Sequence, residues 1–162
     1  MIKLQQDYAR SVLFGFEDSL VSTTGVIAGV SAGSHDPSII LLAASVTIIV
    51  EALSMGAGQF LSERTVHQLD QRHSDNLLLG GGLMMVSYFV AGFIPLIPVL
   101  LFPFPASIYT SIVSALISLF ILGFVKGKVV RTNPWRSGFE IFVIGGAATA
   151  LGILAGLFFR TT

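Results

Sequence analysis

Apolar residues run through this chain in long blocks, separated by short stretches of turn-forming and charged residues. Five blocks stand out, at about 12–33, 38–61, 77–101, 106–125 and 137–159. A helix needs about 20 apolar residues to cross the hydrocarbon core of a bilayer, and each block reaches that length. Helices are the expected form, because each satisfies its own backbone hydrogen bonds where no water can. A membrane barrel would instead alternate apolar and polar residues over segments of about ten, and no such alternation occurs. The pattern predicts an all-α integral membrane protein with five transmembrane helices in a single membrane domain, 1–162.

The breaks between blocks read as turns. Segment 33–37, GSHDP, ends in Asp36 and Pro37, with the proline opening the second helix. Segment 102–105, FPFP, closes the third block just as tightly. The segment SERTVHQLDQRHSDN at 62–76 is the one longer polar stretch. It is expected to prolong the second helix and then break at Ser74, Asp75 and Asn76. Pro95 and Pro98 fall inside the third block, where each removes a backbone donor. They predict either a kink that neighbouring helices tolerate or a point where freed carbonyls border a path.

Composition agrees with a membrane class. The chain is 53% hydrophobic and 11% charged, against roughly 25% charged in soluble domains. Its net charge is zero, with no basic patch on a soluble domain, so no nucleic-acid partner is expected. There is no cysteine, which excludes disulfides and thiolate metal sites. The polar start lacks the features of a cleaved signal peptide, so the first span is expected to direct its own insertion. Eight of the nine Lys and Arg residues fall on one side of the five spans, and only Arg160 on the other. By the positive-inside rule the N-terminus is expected in the cytoplasm and the C-terminus outside. The expected location is a multi-pass position in a prokaryotic cell membrane.

Against that background four acids are conspicuous: Glu17, Asp18, Glu51 and Glu140 all lie within the apolar blocks. A charge at the centre of a membrane helix costs at least ~2.5–3.5 kcal/mol, and such groups mark ion paths, proton relays or buried pairs. Glu51, Met55, Gln59 and Glu63 recur every fourth residue and so share one face of the second helix. Two carboxylates, an amide and a thioether on one stripe form a plausible ladder for a divalent cation. The thioether biases it toward softer transition metals over Mg²⁺ or Ca²⁺. At ~1.5 Å per residue, Asp18 lies ~9 Å inside the first span, Met55 ~10 Å and Glu51 ~16 Å inside the second. The three can therefore meet at one level, with Ser22 one turn deeper on the Asp18 face. Glu17 points about 100° away from Asp18 and reads as an accessory acid or as partner to an inner-side arginine. Glu140 sits near the start of its span and can pair with Arg136. His67 and His73 read as a solvated face. Gly25 with Gly29, and Gly152 with Gly156, have the spacing that lets membrane helices approach closely within a bundle or across a dimer.

These segments resemble the vacuolar iron transporter family. FGFEDSLVSTTG at 14–25, followed by VIAG, is similar to that family's first helix, G-x-x-D-G-L-V with a small-residue run. LSMGAGQFLS at 53–62 resembles its second-helix signature L-S-M-G-x-G-E-Y-L-S. FVAGFIPLIP at 89–98 and IGGA at 144–147 resemble its third and fifth helices. The resemblance implies a homodimer that moves Fe²⁺, and often Mn²⁺, out of the cytosol in exchange for protons. It places the path aspartate on Asp18 and the path methionine on Met55, at the dimer interface. The chain departs from the family pattern at Ser19, at Gln59 in place of a glutamate, and at Ser11 and Thr47 in place of acids. Glu51 is an acid one turn from Met55 where the family pattern has none. Family members that gather metal in the cytoplasm carry long acidic helices between spans two and three. Here that gap is only 62–76, so such a domain is not expected.

The expected function is thus a proton-coupled Fe²⁺/Mn²⁺ exporter, homodimeric, with lipid, metal ions and protons as partners and no resident cofactor. The expected metal site is Asp18, Glu51, Met55, Gln59 and Glu63, with Glu17 accessory. The alternative is a non-transporting scaffold whose acids pair inside the bundle. An enzyme is not expected, since no Ser–His or His-x-x-His pair lies in a span. A scaffold would pair its acids with buried Lys or Arg, and none falls in the interior of a span.

Overall fold

A computed structural model of the chain describes residues 2–69 and 76–160, with side chains from Gln6 onward. Five helices account for most of them: α1 (Ile2–Gly33), α2 (Pro37–Leu69), α3 (Leu77–Leu101), α4 (Ala106–Val129) and α5 (Pro134–Phe158). No strand occurs among the described residues. The helices run past the apolar blocks at the charged end of the bundle: α1 starts at Ile2, α2 continues to Leu69 and α4 to Val129. Arg72, His73 and the expected break at Ser74 and Asp75 lie outside the described residues.

Local chemistry fixes where the helices begin and end. Asp36 accepts the Ser38 amide at 2.8 Å, ahead of the first turn of α2. Asn76 caps α3 by accepting from the Leu79 amide at 3.2 Å. Asn133 caps α5 by accepting from Trp135 and Arg136 at 3.1 and 3.3 Å, with Pro134 in the first turn. Pro95 and Pro98 do not end α3. Beside them, Ser111 of α4 donates to the Pro95 carbonyl at 2.6 Å and ties α4 to α3.

The chain runs up and down, and α1 is the hub. It packs on α2, α3, α4 and α5, whereas α2 packs only on α1 and α3, and α5 only on α1 and α4. Two apolar clusters fill the interior. One joins Ile27, Ile40, Ala44, Ile48, Leu96 and Ile108; the other joins Leu20, Ala91, Ala115, Leu119 and Ile141. Helices α2 to α5 are each long and apolar enough to cross a membrane. The chain is a multi-pass membrane protein. The hub α1 is long enough but more polar, which suits a helix surrounded by other helices rather than by lipid.

The glycine pairs settle how α1 meets α5. A Cβ on Gly29 would fall 2.6 Å from the Gly152 carbonyl oxygen, and one on Gly33 3.0 Å from that of Gly156. The spaced glycines of α1 and α5 thus serve a close crossing inside one protomer, because only a hydrogen at Cα lets two backbones approach so nearly. Of the two roles that spacing allows, a crossing within the bundle is the one this contact fills. Gly152→Val should destabilise the detergent-solubilised protein by about 1–3 kcal/mol or more, seen as a lowered unfolding midpoint. Gly146→Ala, on the same helix with nothing within 4 Å of the added methyl, should leave the midpoint unchanged or raise it.

Candidate functional site

Because α2 and α5 do not touch, a strip of α1 stays uncovered between them. Along its half away from the charged end the strip borders a furrow of about 650 Å³, lined by Val21, Ser22, Gly25 and Val26 on α1 and Ala148 and Gly152 on α5. Asp18 sits one turn from Ser22 and is half-buried. Among the described residues Asp18 accepts no hydrogen bond and makes no ion pair. It lies instead within electrostatic reach of two other carboxylates, Glu51 and Glu17.

The buried row of α2 is Ile40, Ala44, Ile48, Ala52 and Gly56, spaced every fourth residue against α1 and α3. The polar row stands one position before it at each turn. Glu51, Met55, Gln59 and Glu63 are accordingly all half-buried, along the margin of the α2 contact rather than in its centre. This alignment follows from helical geometry: rows offset by one residue are rotated by about 100°.

At its deep end the row is tied down by a residue that sequence reasoning missed. Tyr88 of α3 is fully buried, at 0% exposure. Its hydroxyl donates to Glu51 Oε2 in a short hydrogen bond. The same hydroxyl lies 2.5 Å from Ser22 Oγ. With the phenol proton directed at Glu51, Ser22 is the donor to the phenolic oxygen. One hydroxyl therefore joins α1, α2 and α3, and it engages one carboxylate oxygen of Glu51 while Oε1 makes no hydrogen bond. The signal for Tyr88 in the sequence is slight: a lone tyrosine in an apolar helix, whose hydroxyl needs a partner once buried.

At the charged end, Glu63 Oε1 accepts from Gln59 Nε2 at 2.9 Å and from Arg10 Nη2 at 3.2 Å. Arg10–Glu63 is the one ion pair among the described residues, and Arg10 is largely exposed. The lower half of the stripe is thus engaged with itself and with α1 through Glu63 Oε1, whereas Asp18, Met55 and one oxygen of Glu51 make no hydrogen bond among the described residues. Glu17 faces a cavity it shares with Arg10 and Lys126 without pairing to either. The expected Arg136–Glu140 pair does not form; both side chains are exposed and border one cavity. No group of three or more His, Asp or Glu side chains within one protomer is arranged to hold a metal, among the described residues.

Comparison with known proteins adds a second line. The sequence profile of the VIT family matches residues 9–77 and 66–157, nearly the whole chain. The chain belongs to the VIT family. It is 22% identical over 207 aligned positions to a protein of Arabidopsis thaliana named vacuolar iron transporter 1, covering 89% of this chain and 83% of that one. It is 21% identical to vacuolar iron transporter 2 of Oryza sativa subsp. japonica, over 89% and 84%. It is 27% identical over 163 positions to an uncharacterized protein of Methanocaldococcus jannaschii, over 88% and 84%. The 207 positions exceed the 162 residues of this chain, so the Arabidopsis protein carries inserted residues. The two profile matches meet at 66–77, the connection between α2 and α3.

Tyr88→Phe should lower stability by about 1–3 kcal/mol, because it leaves Glu51 and Ser22 without the shared hydroxyl. Chemical or thermal unfolding in detergent measures this. Glu51→Gln, which keeps an acceptor for Tyr88, should cost clearly less.

Proposed function

We propose that this protein exports divalent transition metals, Fe²⁺ and Mn²⁺ among them, from the cytosol in exchange for protons. In this reading all five helices span the membrane as a single domain, with the N-terminus in the cytoplasm and the C-terminus outside, in a prokaryotic cell membrane. The relatives named as iron transporters support the substrate class. The observation that carries the proposal is Asp18: a carboxylate in a membrane helix, with no cation and no hydrogen-bond donor, beside two further acids. A structural acid in that setting would be paired, because an uncompensated charge in low dielectric is costly. A mobile cation or a proton is the partner that fits.

The metal is placed at Asp18, Met55 and the free oxygen of Glu51. Gln59 and Glu63 form the approach from the cytoplasmic end, where the cation displaces Arg10 from Glu63. A transition metal takes roughly four to six donors, and one protomer offers three. A homodimer about an axis near the uncovered strip of α1 would double the set. The furrow beside Val26 gives the second copy a surface to fill. A carboxylate must lose its proton to bind metal, so loading and proton release occur at the same oxygens. Reprotonation on the return step gives exchange without a separate proton route. Met55 adds preference for softer metals without adding charge.

Metal flux into liposomes, scanned over Fe²⁺, Mn²⁺, Zn²⁺ and Co²⁺, tests the proposal. Asp18→Asn should reduce flux to background, since an amide cannot cycle a proton. Tyr88→Phe should weaken metal affinity about 10- to 100-fold, as loss of a ligand's supporting hydrogen bond does. Met55→Leu should keep the fold and lose discrimination against Mg²⁺ and Ca²⁺. Wild-type flux in both Asp18→Asn and Glu51→Gln would show that the site is elsewhere. A cysteine at position 26 should cross-link two copies in the membrane. A monomer in detergent with no cross-link would refute the dimer.

A further inference from the structure

At the charged end of the bundle, α1 and α4 diverge and leave a cavity of about 620 Å³. Leu13 and Phe14 of α1 face Val129 and Val130 at the end of α4 across it. Its rim carries three cations, Arg10, Lys126 and Arg131, against one acid, Glu17. Lys126 also borders a neighbouring cavity of about 380 Å³ that contains Arg136 and Glu140. Arg10 is paired with Glu63, but Lys126, Arg131 and Arg136 make no ion pair among the described residues.

Arg131 is the unusual member. The end of α4 is a Schellman motif, with the Thr132 amide bonded to the Gly127 carbonyl at 2.9 Å and the Arg131 amide to the Lys128 carbonyl at 3.3 Å. The residue at the turn is left-handed, at φ 59, and is the one non-glycine with positive φ among the described residues. Glycine is the usual occupant, because any Cβ at this φ crowds the following carbonyl oxygen. Orienting the chain in the membrane requires cations on one side, but neither a cavity beneath them nor an arginine in a strained turn.

We propose that the α1–α4 cavity binds the phosphate headgroup of an anionic phospholipid. Lys126 and Arg131 hold the phosphate at headgroup depth, and an acyl chain lies along Leu13, Phe14 and Val129. Charge complementarity selects the anion, and the apolar wall selects a lipid over free phosphate. The inference is independent of which metal the protein moves.

The test uses the full chain purified in neutral detergent, with bound lipid counted by native mass spectrometry and stability read from the unfolding midpoint. Phosphatidylglycerol should bind and raise the midpoint, while phosphatidylcholine, inorganic phosphate and glycerol phosphate should not. Arg131→Gly should keep or raise the midpoint without lipid, because it relieves the turn. It should nevertheless weaken phosphatidylglycerol binding about fivefold, the equivalent of ~1 kcal/mol per cation. Lys126→Gln should weaken it to a similar degree, and Arg131→Lys should largely preserve it. Unchanged phosphatidylglycerol binding in both charge-removing variants would overturn the proposal. So would an equal response to inorganic phosphate, which would mark a site for a soluble anion instead.

Discussion

A helix carrying two adjacent acids and a run of hydroxyls has to be kept out of lipid, and the arrangement of this molecule follows from that. The hub α1 holds Glu17, Asp18, Ser19, Ser22, Thr23 and Thr24 within two turns of one another. Four more apolar helices surround it, and each buries part of its circumference. The enclosure depends on close approach. Glycines at 29, 33, 152 and 156 bring the α1 and α5 backbones together, and Gly15 brings α1 within reach of the Met84 carbonyl on α3. Larger residues at those positions would hold the helices apart and admit lipid to the polar helix.

The enclosure is incomplete, and the gap coincides with the chemistry. With α2 and α5 out of contact, the open strip of α1 runs past Asp18 and Ser22, beside the half-buried polar row of α2. An acid in the core would need a permanent partner, and an acid facing lipid would be neutralised. One on a strip between the two is accessible to a mobile cation or to a second protomer. By engaging one oxygen of Glu51 and the hydroxyl of Ser22, Tyr88 fixes the deep end of the polar row, while Asp18 has no hydrogen-bond or ion-pair partner among the described residues.

The two ends of the bundle differ in character. The charged end holds the Arg10–Glu63 pair, the Gln59 amide and unpaired cations around two cavities. The opposite end carries tight turns and an aromatic contact, with the His35 and Phe104 rings 5.4 Å apart. This chain passes from α2, which ends at Leu69, to α3, which begins at Leu77, through a brief connection.

Much of this was legible in the residues alone. Length and apolarity define membrane helices without reference to neighbours, because lipid imposes one requirement on every span. Fourfold spacing put Glu51, Met55, Gln59 and Glu63 on one face for the same local reason, and Asp18 stood out as an acid in an apolar block. What depended on partners was not legible. Whether Gly25 and Gly29 face a second copy or α5 is decided by which helices are adjacent, and spacing is identical in both cases. Glu140 and Arg136 are four apart yet unpaired, since proximity along a helix permits a contact without selecting the rotamers that make it. Tyr88 acquires its role only when α3 packs between α1 and α2 and brings Ser22 and Glu51 to one hydroxyl. Sequence determined the kind of solvent each segment requires; the tertiary structure decided which acids find a partner and which are left without one, because hydrogen bonds and ion pairs depend on distances that only packing sets.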